Sequence, residues 1–128
     1  MSGLSKDLRR NALAFGARAE TLAAVWLRLK GYRILARQFT VRSGELDIVA
    51  ARGATIAFVE VKARPSVEQA LTAISWEKRR RLCRAAAVWT ARNPWVAEGW
   101  TLRGDAVFIG GWRPPLHIED AFALEFAG

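Results

Sequence analysis

The sequence predicts an α/β domain: a central mixed sheet that contains an antiparallel hairpin and is flanked by helices. Three observations predict it. Apolar residues recur at helical spacing near the start and again after residue 75. Two alternating segments flank the two-residue turn Gly53-Ala54. One strand-like segment precedes this pair and another follows the second helix, giving the order helix, three strands, helix, strand. The length of 128 residues suits one domain, residues 1–128. With 52% hydrophobic and 25% charged residues the chain is expected to fold without staples.

Each element has its own signal. Leu8, Ala12, Phe15, Ala19, Leu22, Trp26 and Leu29 form one apolar helix face, and Gly31 stops the helix. Tyr32 to Phe39 reads as a first strand. Glu45 to Ala51 and Thr55 to Ala63 read as the hairpin, with Gly53 at the first central position of a type II′ turn. Ser75 can cap a second helix whose inward face is Leu82, Ala85, Ala86 and Trp89, and Asn93-Pro94 ends it. Trp100 to Ile109 reads as a strand. Gly110 to Pro115 is a turn, and Leu116 to Phe122 a last short strand or turn of helix.

Composition excludes several chemistries. One cysteine, Cys83, makes neither an internal disulfide nor a thiolate metal cage, and a reducing, cytoplasmic setting fits it. One histidine, His117, excludes a multi-histidine zinc site. No apolar run is long enough to span a membrane. Arg18 and Glu20 interrupt the apolar stretch after the basic N-terminus, so no signal peptide is expected.

The net charge of +8 favours a polyanionic partner, nucleic acid first. Residues 1–43 carry a net +7 and residues 75–92 a net +5, while residues 44–74 carry −1. Two basic segments therefore flank a middle one with closely spaced carboxylates. A phosphate-binding surface around an acidic metal site has this pattern; so do basic helices that only solubilise a small domain.

The two-residue turn sets the hairpin register. Arg52 pairs with Thr55 and Val49 with Phe58; continued outward, Asp47 faces Glu60 and Glu45 faces Lys62. Alternation then puts Glu45, Asp47, Glu60 and Lys62 on one face, and Leu46, Ile48, Ala57, Val59 and Val61 on the other. Like charges opposite each other call for a cation or a raised pKa. Mg²⁺ would take such oxygen ligands and keep several waters. Lys62 would orient or deprotonate one of those waters, or it would simply salt-bridge Glu45. Glu20, at the margin of the first helix's apolar face, could reach over the sheet as a further ligand, or be an ordinary boundary glutamate; Gly16, a turn earlier, would allow close approach. Lys78, Arg79, Arg80, Arg81 and Arg84 lie in the first turns of the second helix, where cations oppose the helix dipole. Phosphate contact would explain them and the similarly placed Arg64. Trp26 and Trp89 read as core; Trp76, Trp95, Trp100 and Trp112 could stack on bases, with packing or a subunit interface as the plainer role.

The segments Gly44-Glu45-Leu46-Asp47-Ile48-Val49 and Phe58-Val59-Glu60-Val61-Lys62-Ala63-Arg64 resemble the YraN-like family of bacterial proteins. Gly16 and Glu20, Lys78 to Leu82, and Leu116 to Phe122 match further elements of that family. The resemblance implies a restriction-endonuclease-like fold, shared with Holliday-junction resolvases. It implies Asp47 and Glu60 as metal ligands and catalytic groups, Lys62 as the catalytic lysine, and Glu20 as the helix carboxylate of the site. Glu45 belongs to the pattern without an assigned role. Gly104 stands where an aromatic residue is expected between Arg103 and Asp105, which makes Asp105 a sheet-edge or structural carboxylate.

The expected function is an endonuclease that hydrolyses phosphodiester bonds with Mg²⁺ or Mn²⁺. DNA, including branched DNA, is favoured over RNA, and a homodimer is expected by analogy only. The alternatives are a nucleic-acid-binding module without catalysis and an RNA-processing nuclease.

Overall fold

In the computed structural model the described residues are 17–63, 74–110 and 113–125. Gly16, Arg64 and Trp112 lie outside them. The elements are helix α1 (17–29), strands β1 (Arg33–Val41), β2 (Gly44–Arg52) and β3 (Thr55–Ala63), helix α2 (Trp76–Arg92), a 3₁₀ turn (Pro94–Ala97), and strands β4 (Thr101–Ile109) and β5 (Leu116–Phe122). The five strands form one sheet in the order β1-β2-β3-β4-β5. All neighbours are antiparallel except β3 and β4, which are parallel. A parallel pair needs a crossover, and α2 lies within it. The mixed sheet with its antiparallel hairpin and flanking helices is as expected, and it is consistent with a restriction-endonuclease-like fold. The last segment is a strand.

Local signals account for the ends of the elements. Gly31 has φ 93°, and the Gly31 and Tyr32 N–H groups donate to the Arg28 and Leu27 carbonyls, which closes α1. Gly53 has φ 59° and Ala54 does not share the positive value, as a type II′ turn requires. Ser75 Oγ accepts from the Lys78 N–H at 3.2 Å and caps α2.

Each helix covers one face. Ala19, Ala23, Ala24 and Leu27 of α1 pack on Ile48, Ala50, Ala57, Val59 and Val107. Leu82, Ala85, Ala86 and Trp89 of α2 pack on Leu46, Val49, Ile56 and Phe58. Ala19 is buried as expected, and Leu8, Ala12 and Phe15 lie outside the described residues, but the rest of the buried stripe is rotated toward Ala23, Ala24 and Leu27. Leu22 and Leu29 are 53% and 77% exposed, and Trp26 is half-buried. Small alanines let α1 settle close to the sheet beside Leu27, and Leu22 and Leu29 are left outside the contact.

The hairpin register holds from Arg52–Thr55 through Val49–Phe58 to Ile48–Val59, where the ladder ends. Leu46, expected beside Ile48, lies on the opposite face among the α2 contacts. Strand alternation therefore breaks at Asp47. The facing residue of β1 is irregular in its backbone, not in its register: Arg37 pairs with Ile48 and Phe39 with Leu46, Gln38 between them has φ 51°, and the register shift of β1 falls between Ile34 and Ala36.

Asp105 is fully buried in the interior strand β4, not at a sheet edge. Arg103 grips both its oxygens at 2.8 Å, the Asp120 N–H donates to Oδ1 at 3.0 Å, and His117 Nε2 lies 2.7 Å from Oδ2. Lys30, which can only donate, bonds His117 Nδ1, so the imidazole hydrogen sits on Nε2 and points at Asp105. Arg103 also donates to the Tyr32 hydroxyl at 2.7 Å. Burial alone would raise the Asp105 pKa; His117, Arg103 and the Asp120 N–H outweigh it and hold the carboxyl below its usual range. Gly104 is explained by its pairing with Phe122. A Cβ at residue 104 would come within 2.6 Å of both the Phe122 ring and the Phe122 carbonyl oxygen, so only glycine lets β5 lie this close.

Candidate active site

The site lies where the hairpin ladder opens. Asp47 Oδ2 accepts from the Val61 N–H at 2.8 Å, so a side-chain carboxylate stands in for a backbone carbonyl. This interruption leaves Asp47 next to Glu60. Burial first, then the Glu60 charge, pushes the Asp47 carboxyl from 3.8 up to about 7; the Val61 N–H pulls the other way, and Glu20 adds a smaller upward push. A side-chain hydrogen bond with Glu60 adds to the upward push on Asp47.

Glu60 is buried, and its Oε1 takes two cations. Lys62 Nζ lies 3.0 Å away and Lys78 Nζ 3.2 Å away. Lys62 is buried as well, whereas Lys78 is half-buried. Burial lowers the Lys62 pKa, and Lys78 beside it lowers it further. For Lys78 burial works against the charge, but the Lys62 amine, Glu60 and Asp47 outweigh it and raise its pKa. The pair thus divides its labour: Lys62 gives up a proton more readily, and Lys78 keeps one.

Glu20 is buried on α1, where Arg37 Nε and Gln38 Nε2 each approach at 3.2 Å. It influences Asp47 through its charge. Glu45 is exposed at the mouth of a cavity of about 210 Å³ that Glu60, Ser75, Lys78 and Arg81 also line. Salt-bridging of Lys62 goes to Glu60 at 3.0 Å. Among the described residues, no three of His, Cys, Asp and Glu are grouped to hold a metal ion by themselves. Asp47 and Glu60 nevertheless suit a hard divalent ion. They are an adjacent carboxylate pair, with Glu60 on the wall of the cavity of about 210 Å³, and water would supply the remaining oxygens.

Gly44 brings α2 to this place. A Cβ there would run into the Arg81 carbonyl, so only glycine lets the helix seat against the start of β2. Lys78 and Arg81 then face the carboxylates. Arg79, Arg80 and Arg84 turn to a second, larger cavity.

A scan against protein families matches residues 19–109 to the one described as "Uncharacterised protein family UPF0102". The chain belongs to the UPF0102 family. A UPF0102 protein of Methylocella silvestris is 55% identical over 94% of this chain and 96% of its own. One of Methylobacterium nodulans is 54% identical, with 91% and 90% covered. One of Mesorhizobium japonicum is 46% identical, with 89% and 90% covered. The UPF0102 match spans α1, the hairpin, α2 and β4, so it includes Glu20, Asp47, Glu60, Lys62 and Lys78.

Two participants went unrecognised in the sequence, and a third was given a different partner. Arg37 and Gln38 hold Glu20, and Lys78 binds a site carboxylate rather than only a distant phosphate. Nothing local in β1 marks Gln38 for a positive φ. The spacing of Lys78 from Ser75 marks it as the cap's partner, not as a neighbour of Glu60. Among the described residues no helix is long and apolar enough to cross a membrane.

Proposed function

We propose that this protein is a metal-dependent endonuclease acting on DNA. The observation that carries this reading is the pairing of Asp47 with Glu60, with Lys62 on Glu60 Oε1 and a basic helix alongside. Asp47 and Glu60 would hold Mg²⁺ or Mn²⁺, and Glu20 would assist through its charge. When bound, the ion supplies Lewis-acid polarisation of the phosphoryl oxygen.

The chain's own residues would do the rest. Lys62 would orient the attacking water, and in its neutral form, which burial favours, would take up its proton at Nζ. Lys78 keeps its charge and holds the phosphate group against Glu60's repulsion. Arg79, Arg80, Arg81 and Arg84 contact the flanking phosphates. Arg64 joins them in this proposal, by its place in the sequence alone.

Purified protein is incubated with supercoiled, linear, single-stranded and four-way-junction DNA and with structured RNA, each with Mg²⁺, Mn²⁺ or EDTA. DNA cleavage is expected with metal only. Glu60→Gln and Lys62→Met are each expected to lower its rate by about 10²–10⁴-fold while binding persists. Binding without cleavage in every condition would replace the enzyme with a binding module. Cleavage of RNA alone would replace its substrate.

A further inference from the structure

The N-terminal half of α2 has two working faces. Lys78 and Arg81 look toward Glu60. Around the same helix, Trp76, Arg79, Arg80, Cys83 and Arg84 line a cavity of about 620 Å³, which Ser43 and Ala123 close from the sheet side. That volume is in the range of small-ligand sites.

Trp76 is the unusual member. It is 67% exposed, so packing does not account for it. The Arg80 guanidinium sits 4.7 Å from the ring centroid, one helical turn on, and fixes the indole. The cavity thus combines a large π surface, apolar wall from Cys83, Ala87 and Val88, and three arginines. A flat aromatic ligand that carries phosphates matches all three features. Paired bases in a duplex present only their edges, so the ligand must be a base out of the stack.

We propose that this cavity binds an unpaired base of the same nucleic acid whose phosphate lies at the Glu60–Lys62 site. The inference rests on the nuclease reading and deepens it. The substrate class becomes nucleic acid with unpaired nucleotides next to the scissile bond, such as a flap, loop or junction arm. Arg79 and Arg84 take the phosphates of the unpaired strand. Glu125 at the rim accepts from base amino groups and repels phosphate, which favours entry base first.

The test is equilibrium binding of the full chain in EDTA, where cleavage plays no part. The probes are a blunt duplex and the same duplex with a five-nucleotide flap bearing 2-aminopurine. Wild type is expected to prefer the flap and to quench the 2-aminopurine. Trp76→Ala is expected to lose about tenfold on the flap and nothing on the duplex, with the quenching gone. Trp76→Phe is expected to recover most of both. Wild-type-like binding of both probes by Trp76→Ala would overturn the proposal. Equal losses on both probes would also overturn it, as would no binding of either probe by wild type. Cleavage is read separately with metal, so a flap preference without hydrolysis would refute the nuclease and leave the base pocket standing.

Discussion

Asp47→Asn is expected to make the protein more stable as it removes the proposed metal ligand. Asp47 ionises near pH 7 in the fold against an ordinary 3.8. The folded form therefore binds this proton more tightly than the unfolded chain. Wild-type stability falls as pH rises from about 3.8 to about 7 and levels off above. Each tenfold in proton affinity is worth about 1.4 kcal/mol, so the charged carboxylate costs roughly 4 kcal/mol in mildly alkaline solution. Water reaching its partly exposed edge trims this toward about 2 kcal/mol. Asparagine keeps the acceptor for the Val61 N–H and carries no charge. The assay is urea unfolding followed by fluorescence of the six tryptophans at pH 4.5, 7 and 8.5. The two proteins are expected to be similar at pH 4.5, with the variant ahead by about 2–4 kcal/mol at pH 8.5. A gap that does not widen with pH would refute the account of Asp47 as a destabilised carboxylate.

Two further outcomes can be checked with the same apparatus. Asp105 is the opposite case, a carboxyl held below its usual range. Its contribution is present above the unfolded pKa and lost as pH falls through the folded one, so Asp105→Asn is expected to cost about 3–5 kcal/mol at pH 7 and much less in strong acid; an equal cost at both would contradict the ion-pair assignment. Gly44→Ala is expected to push α2 off β2, lowering stability by about 1–3 kcal/mol. It would cut cleavage more than DNA binding, as kinetics and anisotropy on one preparation would reveal.

Much of the site was legible because a two-residue turn leaves the register little freedom. Gly53-Ala54 placed Val49 against Phe58, and alternation brought Glu60 and Lys62 to one side. What was not legible depends on tertiary contact. The face change at Asp47 needs a non-glycine positive φ at Gln38, a choice that the neighbouring elements impose. Lys78 reaches Glu60 only because Gly44 admits the helix, and neither residue announces that meeting by its spacing. The buried stripe of α1 was misjudged for a different reason. Hydrophobic strength pointed to Leu22 and Leu29, whereas closeness of approach selected Ala23, Ala24 and Leu27 beside the expected Ala19. The reading of Asp105 as a sheet-edge or structural carboxylate was right in its second half, but it did not name His117, its partner twelve residues further along.

The Gly104–Phe122 pair has a consequence for engineering. A Cβ at residue 104 would meet the Phe122 ring and the Phe122 carbonyl oxygen, each at 2.6 Å. Trimming the ring removes only the first obstacle, so the backbone of β5 would have to move before any side chain could enter. The two positions therefore cannot be traded as a pair. The Asp120 N–H that donates to Asp105 comes from that same strand, so a displaced β5 would loosen the buried carboxylate as well.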